Sequence, residues 1–344
     1  MKAFNFIIFC CLLYLMQACE HKVPDSKLKK IQLSGETMGT QFNVSYFDST
    51  DQDLSGTLNE LLLEINNEVS TYIPSSTISS FNEKHAVWTH KNSHFARNLL
   101  LSKEIYLMSS GYFNPCVMPL VNYWGFGFKG KDMVLDPDSV RVQQLVKLTD
   151  FDSLKIQYFG DSILVEKRQD EMALDFSAIA KGDAVDQVAK ALEERDIFNY
   201  YVEIGGEIRC GGRTSNAQQW RTGIRRPVEN GQKVLATRIE MENESIATSG
   251  NYENYHEDQE SGKKYAHTIN PFSGYPEKND LLSASVVAKD CAVADAYATA
   301  FMAMGYQKSK ALSDSLQLEV FFIYSDDSGA LQHYFSESFQ ARLK

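Results

Sequence analysis

Basic residues are in short supply in this chain, with 34 Lys and Arg against 45 Asp and Glu and a formal net charge of −11. A nucleic-acid partner demands a basic face that displaces counterions, so the balance argues against one. Cysteine is sparse and scattered, and no C-x-x-C pair occurs. Beyond the N-terminal segment only Cys116, Cys210 and Cys291 remain, an odd set that cannot pair completely, and small buried thiols are expected. The G-x-S-x-G, H-E-x-x-H, Walker A and Rossmann glycine signatures are all missing, which removes several common enzyme classes. Internal repeats and low-complexity tracts are missing too, and no apolar run is long enough to span a bilayer comfortably.

What is present, 43% hydrophobic and 23% charged residues over 344 positions, is an ordinary globular composition with chain enough for one large domain or two small ones. The N-terminus has the layout of a targeting segment. Lys2 gives a short positive region, and residues 6–16 form an almost unbroken apolar core of signal-peptide length. M-Q-A-C follows, and with Ala18 before Cys19 it resembles the lipobox of bacterial lipoproteins. That resemblance implies a signal peptide over 1–18, lipidation of Cys19 and a lysine-rich tether over 19–30. The remaining domain, 31–344, would then be held at a bacterial cell membrane, on its periplasmic side, by acyl chains alone.

Residues 32–47 alternate through Phe42, Val44 and Tyr46, a strand pattern interrupted by the turn-like G-E-T-M-G-T. Apolar residues at 58, 61, 62, 65 and 69 have helical spacing, and a second amphipathic helix is predicted over 96–110 with Gly111 as its cap. A short helix near 140–146, a hairpin over 154–174 turning at F-G-D-S, and a helix over 181–195 come next. Y-Y-V-E-I-G-G-E-I-R is a buried strand running into a double glycine, where missing side chains allow close approach of a backbone or a ligand, although an ordinary turn reads as well. Further strands are predicted at W-R-T-G-I, 238–247 and 283–288, a small-residue helix over 292–304, and a final strand at E-V-F-F-I-Y. Without regular β-α-β alternation the class is α+β, mixed sheets with packed helices.

Chemistry concentrates in L-D-F-S-A-I-A-K-G-D-A-V-D, residues 174–186. A turn opening into a helix offers unpaired N–H groups and a positive dipole end, both attractive to phosphates. Three aspartates against one lysine would partly repel a bare phosphate but not one arriving with a divalent cation, which points towards a nucleotide–metal site. In A-D-A-Y-A-T-A, Asp295 and Thr299 are four apart and share a helix face, a hard-oxygen half-site suited to magnesium. An aspartate near a helix N-terminus and a threonine bonded one turn back explain the pair equally well. His267 lies in a polar loop bounded by proline and glycine, where catalytic groups often sit, though a lone histidine is as readily structural.

Taken in order, these stretches resemble the ApbE flavin transferases. The resemblance runs through T-M-G-T (37–40), S-T-Y with S-S-F-N (70–82), G-Y-F-N-P…W-G-F-G (111–127), the 174–186 run and I-G-G-E-I (204–208). It continues through W-R-T-G-I-R-R-P (220–227), I-A-T-S-G-N-Y (246–252), H-T-I-N-P-F-S-G-Y-P (267–276) and A-D-A-Y-A-T-A (294–300). It implies an ApbE-like fold and FAD contacts from Met38, Tyr72, Tyr112, Phe113, Asn114, Asp175, Lys181 and Ile269. It also implies a magnesium held by Asp295, Thr299 and the carbonyl of Ala178, with His267 at the position of the base. The reaction implied splits FAD and joins FMN to a serine or threonine hydroxyl of an acceptor flavoprotein, releasing AMP. Two other readings share the site: an FAD pyrophosphatase giving free FMN and AMP, and a non-catalytic flavin-binding lipoprotein. Asn114 and Cys116 depart from the family's frequent aspartate and threonine. Asp183 and Asp186 are expected to be solvent-side or capping residues of their helix.

Overall fold

The computed structural model describes residues 28–127, 134, 136–226, 234–250, 255–257, 264–277 and 279–343. Cys19, the signal segment and most of the tether lie outside the described residues, as do Pro227, Asn251 and Tyr252 of the quoted motifs. The organising element is an eight-stranded sheet. Its strands are Lys29–Thr37, Thr40–Asp48, Tyr200–Ile204, Glu207–Gly211, Glu244–Gly250, Leu281–Ala288, Glu319–Ser325 and Leu331–Phe335, hydrogen-bonded in that order. The sheet is thus a meander in chain order, and everything else in the domain is inserted at its turns. All strand pairings among the described residues are antiparallel, so the α+β class holds while sheets of mixed polarity do not occur.

The first turn is fixed by local chemistry. Thr37 pairs with Thr40 across Met38 and Gly39, whose φ angles of 51° and 74° are the two positive values that a tight hairpin of the favoured hand requires. Helices Ser55–Val69, Thr77–Glu83 and His94–Met108 and the three-stranded sheet Ala86–His90, Ser162–Glu166, Lys155–Phe159 all fall in the insertion after Thr40–Asp48. Short helices at Met118–Tyr123 and Ser139–Val146 and the helix Ala180–Glu193 complete it. The predicted helices are present with boundaries shifted by a few residues, and the predicted hairpin is shorter, its second strand ending at Glu166.

Both faces of the meander are buried, and the alternation of its strands divides the core. Val320 and Phe322 join Phe42, Val44, Val202 and Ala247 on the face packed by the Ala180–Glu193 and Cys291–Met304 helices. Phe321 and Ile323 point the other way, towards Trp220, Ile224, Ile239 and Met241 of a hairpin formed by Trp220–Arg225 and Leu235–Met241. This explains why E-V-F-F-I-Y reads as one apolar run. It is not the last strand, because Leu331–Phe335 adds an edge beyond it. The expected strand over 238–247 is two strands in different sheets, parted by a turn in which Asn243 adopts φ 56°.

The two site-bearing helices cross at Gly182. A β-carbon there would stand 2.6 Å from Ala292 Cα and from the Cys291 carbonyl oxygen, so only glycine permits this approach. Asp183 ties its helix to the His94–Met108 helix, Asp186 holds the crossing, and neither is solvent-side. Asp183 is 3% exposed and accepts from Arg97 Nε (2.7 Å) and Asn98 Nδ2 (2.9 Å). Asp186 accepts from the N–H groups of Cys291 and Ala292 (both 2.9 Å), capping the neighbouring helix rather than its own, and pairs with Arg209 (2.7 Å). Sequence distance hides both roles: the partners lie 86 and 105 positions away.

Burial pushes the Asp183 carboxyl up, but hydrogen bonds from His94 and Arg97 and their charge outweigh it and hold the pKa below the ordinary carboxylate value. Asp183→Ala leaves Arg97 without its carboxylate and is expected to cost roughly 3 kcal/mol in urea unfolding, the low end for a buried pair because the Arg97 side chain is 33% exposed. The depressed folded value means that the Asp183 contribution is complete above the unfolded carboxylate pKa near ~3.9 and is lost as pH falls through the folded value. The stability gap between the wild type and Asp183→Asn is therefore expected to shrink below about pH 4 in the same assay.

Candidate functional site

The crossing at Gly182 places Lys181 and Asp295 beside each other at the floor of a cavity of about 370 Å³. The Gly182 N–H donates to Asp295 Oδ2 (3.1 Å), so the first turn of one helix is bonded to a carboxylate on the next. Lys181 Nζ reaches the other way, to Glu207 Oε1 at 2.6 Å. Glu207 opens its strand directly after Gly205 and Gly206, is 4% exposed, and its Oε2 has no hydrogen-bond partner among the described residues. Thr299, one turn along from Asp295, shares a hydrogen bond with Ser249 (Oγ1···Oγ, 3.2 Å).

Three charges are thus interlocked, the two carboxylates buried and the Lys181 side chain 29% exposed. Burial raises the Asp295 carboxyl above its ordinary value against the opposing pull of Lys181 and the Gly182 N–H. It raises Glu207 as well, against the Lys181 charge and with added repulsion from Asp295. For Lys181 burial works downward, yet the two carboxylates win and its pKa is raised, so the ammonium stays charged. Asp175 is also raised by burial, although the Ser177 N–H donates to its Oδ1 (2.9 Å). The floor therefore carries more buried carboxylate than cation.

The donor set fits a divalent cation. A carboxylate, a hydroxyl and an orphaned buried carboxylate oxygen are hard oxygen ligands, and burial penalises their negative charge until a cation compensates it. Asp295, Thr299 and Ala178 would hold the ion, with Glu207 next to them. Another grouping, Glu64, Glu68 and His94, is committed elsewhere: Glu68 accepts from the Phe95 N–H (2.8 Å) and His94 is bonded to Arg97.

Around this floor the wall is built by motif residues with visible structural work. Asp175 N–H donates to the Pro115 carbonyl (2.8 Å), tying the 174–178 turn to the Tyr112–Pro115 segment. Asn82, the end of S-S-F-N, brackets Leu174 by accepting its N–H (2.7 Å) and donating to its carbonyl (2.9 Å). Asn114 spends both ends of its amide on backbone, accepting from the Cys116 N–H (2.9 Å) and donating to the Thr149 carbonyl (2.8 Å). A carboxylate could make only the first of these bonds, so the departure from the family pattern adds a tie across the wall. Tyr112 is held edge-on to Phe272 (4.9 Å between ring centres) with Lys308 over its ring and bonded to its hydroxyl.

The His267 loop is folded on itself by Asn270, whose Oδ1 accepts from the N–H groups of Phe272 and Ser273 (2.9 and 3.1 Å). It is pinned from outside by Trp124, whose indole donates to the Gly274 carbonyl (2.7 Å). Thr268 and Ile269 are buried, while His267 sits exposed at the mouth. Tyr72, 73% exposed, stands at the mouth too.

Of the expected site residues, Tyr72, Tyr112, Phe113, Asn114, Asp175, Ala178, Lys181, His267, Ile269, Asp295 and Thr299 line this one cavity. Met38 is apart from them, on the wall of an adjoining cleft that meets the cavity at Gly205 and Thr248. Glu207 and Ser249 were missed. For Glu207 a signal existed, an acidic residue at the head of the buried strand E-I-R-C after a double glycine; for Ser249 none did.

Comparison with known proteins agrees with this architecture. A model of the ApbE family matches residues 38–322. The chain is similar to an FAD:protein FMN transferase of Vibrio cholerae serotype O1, at 34% identity over 98% of this chain and 99% of that one. It is similar to another of that name from Haemophilus influenzae, at 31% identity over 95% and 94%. Among solved structures, the flavin transferase ApbE from Vibrio cholerae superposes with a TM-score of 0.80 at 33% identity, over 92% of this chain and 100% of that one. The apo form of the Pseudomonas stutzeri flavinyl transferase ApbE gives 0.81 at 28%, over 92% and 97%. A family match across most of the domain, joined to full-length relatives above 30% identity, establishes that the chain belongs to the ApbE family.

Proposed function

We propose that the protein is a magnesium-dependent FAD:protein FMN transferase that moves FMN from FAD to a serine or threonine hydroxyl of an acceptor protein and releases AMP. The observation that carries this reading is the convergence of Lys181, Asp295 and Thr299 on one cavity floor beneath the His267 loop. The names of the full-length relatives support the flavin-transfer part.

Each residue then has a task that its position allows. Lys181, held charged between Asp295 and Glu207, supplies fixed positive charge towards the FAD diphosphate. The apolar and aromatic wall of Tyr112, Phe113 and Ile269 takes a ring system, as ligand pockets with a few fixed polar groups do. At 370 Å³ the cavity is at the small end for such ligands, so the dinucleotide reaches past it, towards Tyr72 at the mouth or Met38 in the adjoining cleft. A divalent cation bound by Asp295, Thr299 and Ala178 would neutralise the diphosphate and stabilise charge on the departing AMP oxygen. His267, solvent-side at the mouth, takes the proton of the acceptor hydroxyl as its oxygen bonds to the FMN phosphorus and the bond to the AMP oxygen breaks. Lipid attached to Cys19 would keep the domain at the periplasmic face of a bacterial membrane, close to membrane-bound acceptors.

Three outcomes are expected. Asp295→Ala lowers acceptor labelling, read as a mass gain of one FMN, by about two orders of magnitude or more at saturating magnesium; full activity in that variant would remove the metal assignment. His267→Ala slows labelling by roughly 10²–10⁴ while FAD affinity, followed by flavin fluorescence, is largely kept. Loss of binding instead would make His267 a ligand contact. Cys19→Ala moves the expressed protein from the membrane fraction to the soluble fraction in a bacterial host, and unchanged membrane retention would refute the lipid anchor.

A further inference from the structure

The cleft beside the cavity is larger than the cavity itself, about 1080 Å³, and open to solvent. One wall is the strand Trp220–Arg225, from which Thr222, Gly223, Ile224 and Arg225 all line the cleft. Side chains of a strand alternate between its two faces, so four successive residues border one cleft only where the backbone edge borders it. That strand pairs with Leu235–Met241 on one side, and among the described residues no strand covers its other edge. An uncovered edge presents N–H and C=O groups to whatever lies alongside. The facing wall is polar: Asn43 and Glu203 are cross-strand partners joined by a 2.7 Å hydrogen bond.

The two spaces join at Gly205 and Thr248, which line both. Thr248 precedes Ser249, the hydrogen-bond partner of Thr299, and Gly205 lies two residues before Glu207, the partner of Lys181. Ile208 and Thr248 alternate with Glu207 and Ser249, so cleft and floor lie on opposite faces of the sheet, and a chain running along the cleft meets the cavity at the strand ends.

We propose that this cleft is the docking groove of the acceptor protein, which lays an extended segment against the edge of Trp220–Arg225 and presents its hydroxyl residue at the junction. The inference rests on the transferase reading and adds where the protein substrate sits. Strand addition fits the groove because backbone hydrogen bonds supply affinity without demanding large side chains. The polar facing wall suits a peptide backbone better than an aromatic ring. Met38, at the hairpin tip, lines this cleft as well, so a nucleotide reaching past the cavity would meet the acceptor segment there.

The test uses an acceptor protein with one exposed reactive threonine and its Thr→Ala variant, which docks without reacting. With FAD and magnesium present, the Thr→Ala acceptor is expected to slow amide hydrogen exchange at residues 222–225; unchanged exchange there would overturn the proposal. Thr222→Trp and Asn43→Trp fill the groove from opposite walls, the second from an exposed position. Both are expected to raise the acceptor KM at least about tenfold while the FAD dissociation constant stays within about twofold. Met38→Ala should do the reverse. An unchanged acceptor KM, or a parallel loss of FAD affinity, would show the groove to be idle or a nucleotide subsite. A wild-type enzyme that leaves the acceptor unlabelled but cleaves FAD would defeat the transferase reading instead, and this inference with it.

Discussion

The close crossing of two helices at Gly182 is the constraint on which the site depends. Because no side chain stands between them, the backbone of one helix reaches a carboxylate on the other, and Lys181 and Asp295 are brought to the same floor from positions more than a hundred residues apart. The Gly182 helix is stapled twice more, by Asp183 to the Arg97 helix and by Asp186 to the N-terminus of the Asp295 helix. Three carboxylates that arrive within one short stretch of sequence thus have three different employments. One faces the cavity from the turn, one locks a neighbouring helix, and one caps the helix that carries Asp295 and Thr299.

The sheet makes this arrangement affordable in conformational terms. A meander in chain order needs no crossover connections, so large insertions at its turns leave the strand register untouched. The cavity lies where several of these insertions meet, and most of its lining comes from turns and helix ends rather than from strand interiors. Rigidity is then supplied locally, by Asn82 on Leu174, Asn114 on Thr149 and Trp124 on Gly274. Such side-chain-to-backbone bonds hold loops in place that have no ladder of their own.

Much of this was legible beforehand. Helix and strand periodicity placed most elements within a few residues, and eleven of the twelve site residues expected from the family motifs line one cavity. What stayed hidden is what depends on distance. The aspartates at 183 and 186 looked like helix-surface residues because their partners, Arg97 and Cys291, are remote in sequence. Glu207 looked like part of a glycine turn because its importance comes from Lys181 and from burial, neither of which strand spacing encodes. The 238–247 segment read as one strand because the positive φ of Asn243, which breaks it, is a conformation that asparagine permits but does not announce.

The charge balance of the floor bears on the order of events. Glu207 and Asp295 outnumber Lys181, Asp175 stands nearby, and burial raises all three carboxyls. Protons could relieve this, but then Lys181 would lose the partners that keep it charged and in place. A diphosphate alone would add to the negative charge and draw Lys181 away from Glu207. On the proposed reading, nucleotide and divalent cation therefore bind as a unit, the cation answering Asp295 while Lys181 keeps Glu207 on one side and gains phosphate oxygen on the other. The orphaned Glu207 oxygen fits the same logic. It has no donor among the described residues, and a cation or a donating group bound beside it would satisfy it.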